Sequence, residues 1–170
     1  VVMRQPLVAG NWKMNGTRAR VEALLGGVVS GAAAIGHCGI AVCPPFPYLQ
    51  MAGEALLGSR VALGAQDVSI QEPGAFTGEV AASMLTDFGC TYVIVGHSER
   101  RQYHGEDDEL VARKYARAVE HGLVPILCVG ETLEQRERGE MERVVAAHVD
   151  GVINLSGVEA FSKGVIAYEP

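Results

Sequence analysis

The sequence predicts an α/β fold on a parallel sheet, a (β/α)8 barrel of which about the first six βα units are present. Three observations carry the prediction. Short apolar runs recur along the chain and are continuous rather than alternating, as strands buried on both faces require. Segments with helical spacing of apolar residues separate them. Polar, chemistry-bearing residues sit where several of the runs end, the rim on which barrels gather their sites.

The strands are expected in "PLVAG" at 6–10, "IAVC" at 40–43, "VALGA" at 61–65, "YVIVG" at 92–96, "VPILCVG" at 124–130 and "GVIAY" at 164–168. Between the first two, Val21, Leu24, Leu25 and Val28 mark one face of a helix over 18–29. A weaker helix is expected over 48–57 and a short one over 83–88. The clearest covers 107–121. Its acidic start (Glu106, Asp107, Asp108, Glu109) suits the positive end of a helix, and Gly122 stops it. Thr132 and Gln135 have the spacing of a capping box, and Gly139 breaks that helix before a further one over 140–149.

An open doubly wound sheet is the competing architecture. Neither a G-x-G-x-x-G turn after the first strand nor a G-x-x-x-x-G-K-[ST] loop occurs, so the usual marks of open nucleotide-binding sheets are missing. A full barrel takes about 250 residues, and this sequence has 170, read as a single domain over 1–170. It is therefore expected to be part of a longer chain, ending on a sixth strand with an open edge prone to self-association.

With 48% hydrophobic residues the chain suits a packed core rather than disorder. A net charge of −6 offers no broad basic field, which argues against nucleic acid as a partner. No run approaches the ~20 apolar residues of a membrane span. Cys38, Cys43, Cys90 and Cys128 form no CxxC pair, and His37 and His104 complete no metal-ligand pattern. Reduced, mostly buried thiols in a cytoplasmic protein without a metal are expected.

Reading the carboxyl ends of strands gives Asn11 and Lys13 after the first, and His97, Ser98 and Glu99 after the fourth. Cys128 and Glu131 follow at the fifth, and Glu169 at the sixth. Taken singly, Lys13 is a solvated charge, His97 a satisfied buried ring and Glu169 a structural cap. Three such accidents on one sheet rim are less economical than one site. A carboxylate at Glu169 can remove a proton from carbon next to a carbonyl. An imidazole at His97 can donate a hydrogen bond to that carbonyl oxygen as the enolate forms. If His97 opens a helical turn, the positive end of that turn favours the neutral ring. Lys13 can hold an anionic substrate and offset the oxyanion. This chemistry calls for no cofactor.

These segments resemble the triosephosphate isomerase family. The match lies in "AGNWKMN" at 9–15, "GAFTGEV" at 74–80, "VIVGHSERR" at 93–101, "CVGETLEQRE" at 128–137 and "AYEP" at 167–170, in the family's order and spacing. The resemblance implies a TIM barrel that interconverts dihydroxyacetone phosphate and D-glyceraldehyde 3-phosphate through an enediolate. That family is itself the type case for a carboxylate base paired with a neutral histidine. By residue match Glu169 is implied as base, His97 as electrophile, Lys13 as electrostatic clamp and Asn11 as a substrate-binding residue. Glu99, Ser98 and Cys128 are implied in the surrounding shell, with Ser98 supporting the helix start. The resemblance further implies a homodimer through the loop 65–80, with Thr77 near the partner's site. Asp67 stands where many relatives carry Asn, so a local hydrogen bond is expected to differ. In the family "YEP" leads into a lid and Gly-rich loops that grip the phosphate. Two other readings stand beside the enzyme: a barrel acting on another phosphorylated sugar, and an inactive fragment serving only in folding or self-association.

Overall fold

Six strands are separated by one or two helices each in a computed structural model that describes residues 3–170. Residues 1–2 of the domain expected over 1–170 lie outside the described residues. The strands are β1 (Leu7–Asn11), β2 (Gly39–Cys43), β3 (Val61–Ala65), β4 (Cys90–Val95), β5 (Val124–Val129) and β6 (Val165–Tyr168). They pair in chain order, each parallel to the next. The result is a curled partial barrel: every βα unit feeds the neighbouring strand, and all carboxyl ends share one rim.

The helices are α1 (Arg18–Ala32), α2 (Leu49–Leu56), α3 (Ala82–Asp87), α4 (Ser98–His104), α5 (Asp108–Glu120), α6 (Leu133–Glu137) and α7 (Met141–Ser156). Short 3₁₀ turns at Phe46–Tyr48 and Val158–Lys163 lead into α2 and β6. The sequence signals hold locally. Asp107 caps α5 by accepting from the Leu110 amide, and Thr132 and Gln135 form the reciprocal capping box of α6. Gly139, at φ 71°, separates α6 from α7. Helix α7 runs on to Ser156, past the expected 149, because Val152 on its inner face is fully buried.

The core lies between sheet and helices. Val93, Val95, Leu127 and Val129 point outward from the barrel onto α5, where Tyr115 is fully buried. The Tyr115 hydroxyl donates to the Ala160 carbonyl at 2.9 Å, and its ring packs 5.6 Å from that of Phe161. The barrel interior holds a second cluster of Cys43, Ile94 and Cys128 with Ala167 against it.

One expectation is corrected at the two flanks. Continuous apolar runs predicted burial on both faces, and β3, β4 and β5 obey. In β1 and β6 the pattern fails: Val8 is 61% exposed and Ile166 48%. Among the described residues each of these strands has a neighbour on one side only, so half of its apolar surface faces outward. Arg4 reaches across the amino-terminal rim and donates to the carbonyls of Gly164 at 2.9 Å and Phe161 at 2.5 Å, tying the two flanks together.

Candidate active site

The site is assembled from three strand ends on the carboxyl rim. At the middle, β4 gives way to Gly96 at φ 69°. A Cβ there would stand 2.6 Å from a Val111 methyl, so the turn accepts only glycine. The chain then enters α4 with His97 as N-cap. Its Nδ1 accepts the Glu99 amide at 3.1 Å. The resemblance assigned support of the helix start to Ser98; the imidazole does this instead, and Ser98 is the exposed first residue of the helix. With Nδ1 occupied as acceptor, the ring proton belongs on Nε2. His97 is only 5% exposed and its Nε2 has no hydrogen-bond partner. A buried donor left open toward the rim is costly unless something else fills it.

Glu169 follows β6 directly, with its amide donating to the Val129 carbonyl at 2.9 Å. Its Oε2 lies 3.3 Å from His97 Nε2 without hydrogen-bond alignment. The carboxylate is half exposed and faces the same space as the free imidazole N–H.

Lys13 comes from the other flank, two residues past β1. It is the one non-glycine residue with positive φ among those described, at 52°. That conformation costs about 1–3 kcal/mol and persists only where its surroundings enforce it. Two contacts do so: the Asn11 side-chain oxygen accepts the Lys13 amide at 2.9 Å, and the Gln66 amide group donates to the Lys13 carbonyl at 2.9 Å. Gln66 also donates to the Cys43 carbonyl at 2.8 Å, pinning the first loop to the ends of β2 and β3. The Lys13 ammonium pairs with Glu99 at 2.7 Å. The bond to Glu99 raises the Lys13 pKa, and the bond from Lys13 lowers that of Glu99. Both side chains are about half exposed, so this pair contributes little to stability, and the ammonium can turn to an incoming anion.

The remaining predicted residues fall into place unequally. Cys128 is buried in the barrel interior beneath Glu169. Burial first, then the nearby Glu169 charge, push its thiol up to about 12, so it is an un-ionised packing group. Glu131 is buried and accepts from the Tyr168 hydroxyl at 3.0 Å and from Arg136 at 3.0 Å, which fixes the rim next to Glu169. Thr77 lies in the exposed stretch after β3, and no hydrogen bond or ion pair links it to this site. The root of that stretch is anchored through Asp67, which accepts from Lys114 at 2.7 Å and pairs with Arg100 at 3.1 Å. Lys114 and Arg100 also converge on Glu106, each at 2.7 Å. A carboxylate at position 67 therefore makes two ion pairs. Gln66 stands directly after the third apolar run, "VALGA" at 61–65, so its place on the rim is legible at that strand end.

Comparison with known proteins agrees with the geometry. The family model for triosephosphate isomerase matches residues 6–170. The chain is 58% identical over 168 residues to the triosephosphate isomerase of Cupriavidus taiwanensis, covering 99% of this chain and 68% of that one. It is 58% identical to that of Cupriavidus necator over 99% of this chain and 67% of the relative. To that of Photorhabdus laumondii it is 51% identical over 99% and 66%. The chain thus spans about two thirds of the length of these relatives. Such identity favours the enzyme over a fragment serving only in folding or self-association. By motif, fold and sequence, the chain belongs to the triosephosphate isomerase family.

Proposed function

We propose that this protein interconverts dihydroxyacetone phosphate and D-glyceraldehyde 3-phosphate by proton transfer through an enediolate. The observation that carries the reading is the pairing on the rim: an unpartnered, buried His97 Nε2 and a half-exposed Glu169 carboxylate 3.3 Å apart. Glu169 takes the proton from the carbon next to the carbonyl. The His97 N–H donates to the carbonyl oxygen as its charge grows; the hydroxyl proton on the adjacent carbon then passes to that oxygen by way of the ring, and Glu169 returns its proton to the neighbouring carbon, so that carbonyl and hydroxyl have changed places. Lys13 leaves Glu99 for the anionic substrate, and Asn11 holds the strained Lys13 backbone in place. General acid–base help of this kind contributes about 10²–10⁴-fold per group.

The protein works as a cytoplasmic homodimer in this reading. The stretch 65–80, anchored by Asp67 and exposed over 72–79, supplies the contact, and Thr77 meets the partner's rim. No helix among the described residues is long and apolar enough to cross a membrane. The test is a coupled assay of the full natural chain with chelator present, beside Glu169→Gln and His97→Gln and against a panel of other phosphosugars. Turnover of triose phosphates that both substitutions reduce supports the reading. Undiminished turnover in either variant, or preference for another phosphosugar, overturns it.

A further inference from the structure

We infer that His148 is a positioning residue for Glu169, acting through the Gly130 amide. The inference rests on the functional reading above. His148 lies on α7, well outside the rim motifs, yet its Nδ1 accepts the Gly130 amide at 3.4 Å just beyond the end of β5. A side chain on Gly130 would collide with the backbone carbonyl of Glu169, so the two backbones touch at a point where only glycine fits. The preceding residue, Val129, accepts the Glu169 amide at 2.9 Å. Residues 129–130 are thus the seat on which the backbone of the base rests, and His148 holds one side of that seat.

The surroundings of the ring fix its role. His148 is 13% exposed, and its Nε2 faces Asp108 Oδ1 at 3.9 Å. Asp108 is in turn bonded by Arg101 at 2.6 Å, and Arg101 donates to the Gly96 carbonyl at 2.8 Å, at the turn that delivers His97. Glu169, Cys128 and Ser98 line the same small cavity as the ring. Burial first, and then Arg101, lower the His148 pKa against the pull of Asp108. The ring is therefore neutral near neutral pH, with its proton toward Asp108 and Nδ1 free to accept. One chain of contacts, Gly130 to His148 to Asp108 to Arg101 to Gly96, connects the backbone under the base to the backbone under the electrophile.

The test compares the full natural chain with His148→Asn and His148→Leu. Asn sets its side-chain oxygen near the place of Nδ1 and keeps an acceptor; Leu fills the space without one. A base displaced by up to 1 Å loses as much as ~10²-fold in rate, so kcat of His148→Leu should fall about tenfold with KM within about twofold. His148→Asn should recover to within about threefold of the parent. Hydrogen exchange at the Gly130 amide should quicken about tenfold in His148→Leu and stay slow in His148→Asn. An unchanged kcat in His148→Leu, or equal losses in both variants, would overturn the inference. An unmodified protein without isomerase activity would sink the functional reading alone. Exchange at Gly130 still decides the contact, in the unmodified protein too if a variant does not fold: an unprotected amide there means that the bond does not exist.

Discussion

The inner strands and the two flanking strands contribute differently to the same site. His97 rises from β4, whose last three residues are buried, and the ring itself is 5% exposed. Lys13 and Glu169 follow β1 and β6, and both charged groups are about half exposed in this 170-residue chain. The division has a physical logic. A neutral imidazole can be held in a low-dielectric interior at little cost, whereas an ammonium or a carboxylate there would have to be desolvated. The buried rim position fixes the uncharged hydrogen-bond donor; the solvent-facing rim positions bring the charges that must meet a substrate from water.

The largest expected effect lies on a flank. Glu169→Gln should lower kcat by about 10²–10⁴-fold, since no neighbouring group replaces the base. Its melting temperature should stay close to that of the parent, because the side chain is half exposed and makes no aligned hydrogen bond. A large loss of stability would break the division between flank and core.

Leu127→Ala tests the other half. Leu127 is fully buried in β5, and emptying such a site costs about 2–5 kcal/mol in denaturant unfolding. Activity of the protein that remains folded should be retained.

A smaller effect concerns the charged network under the exposed stretch. Burial alone would raise the Glu106 pKa, but the bonds from Lys114 and Arg100 outweigh it and hold the carboxyl below its ordinary value. Asp67 moves the other way, since burial there outweighs its two cations. Glu106 governs the acid response, having both cations at 2.7 Å on one oxygen. A depressed carboxylate contributes stability that is present above its unfolded pKa, near 4.5, and is lost as pH falls through the folded value. Glu106→Gln should therefore cost about 1.5–3 kcal/mol at neutral pH, and unfolding curves of parent and variant should converge below pH 4.5. A gap that persists in acid would show that shape rather than charge is at stake. The smallest effect is expected for Ile166→Thr in the 170-residue chain, under about 0.5 kcal/mol, because that side chain is already half exposed.

Much of this was legible in the sequence. All six strands could be read from runs of four to seven residues, since burial on both faces leaves a continuous apolar signature. The rim residues Asn11, His97 and Glu169 could be placed because each follows such a run directly, and Lys13 because it lies three residues beyond the first. What stayed hidden was long-range. Nothing near Lys13 announces that Gln66 enforces its backbone, and nothing in "AAHVDG" marks His148 as a neighbour of Gly130, because both contacts depend on how the sheet curls. The open edge at β6 was expected from the sequence, whereas the exposure of Val8 on β1 was not, because an apolar run reads the same at the flank of a sheet as at its centre.

The most direct test of the division is the protonation state of His97, read by ¹⁵N NMR of the imidazole at neutral pH in the full natural chain. The account predicts a neutral ring with its proton on Nε2 and a bare Nδ1 coupled to the Glu99 amide. A ring carrying a proton on Nδ1, or on both nitrogens, would contradict it.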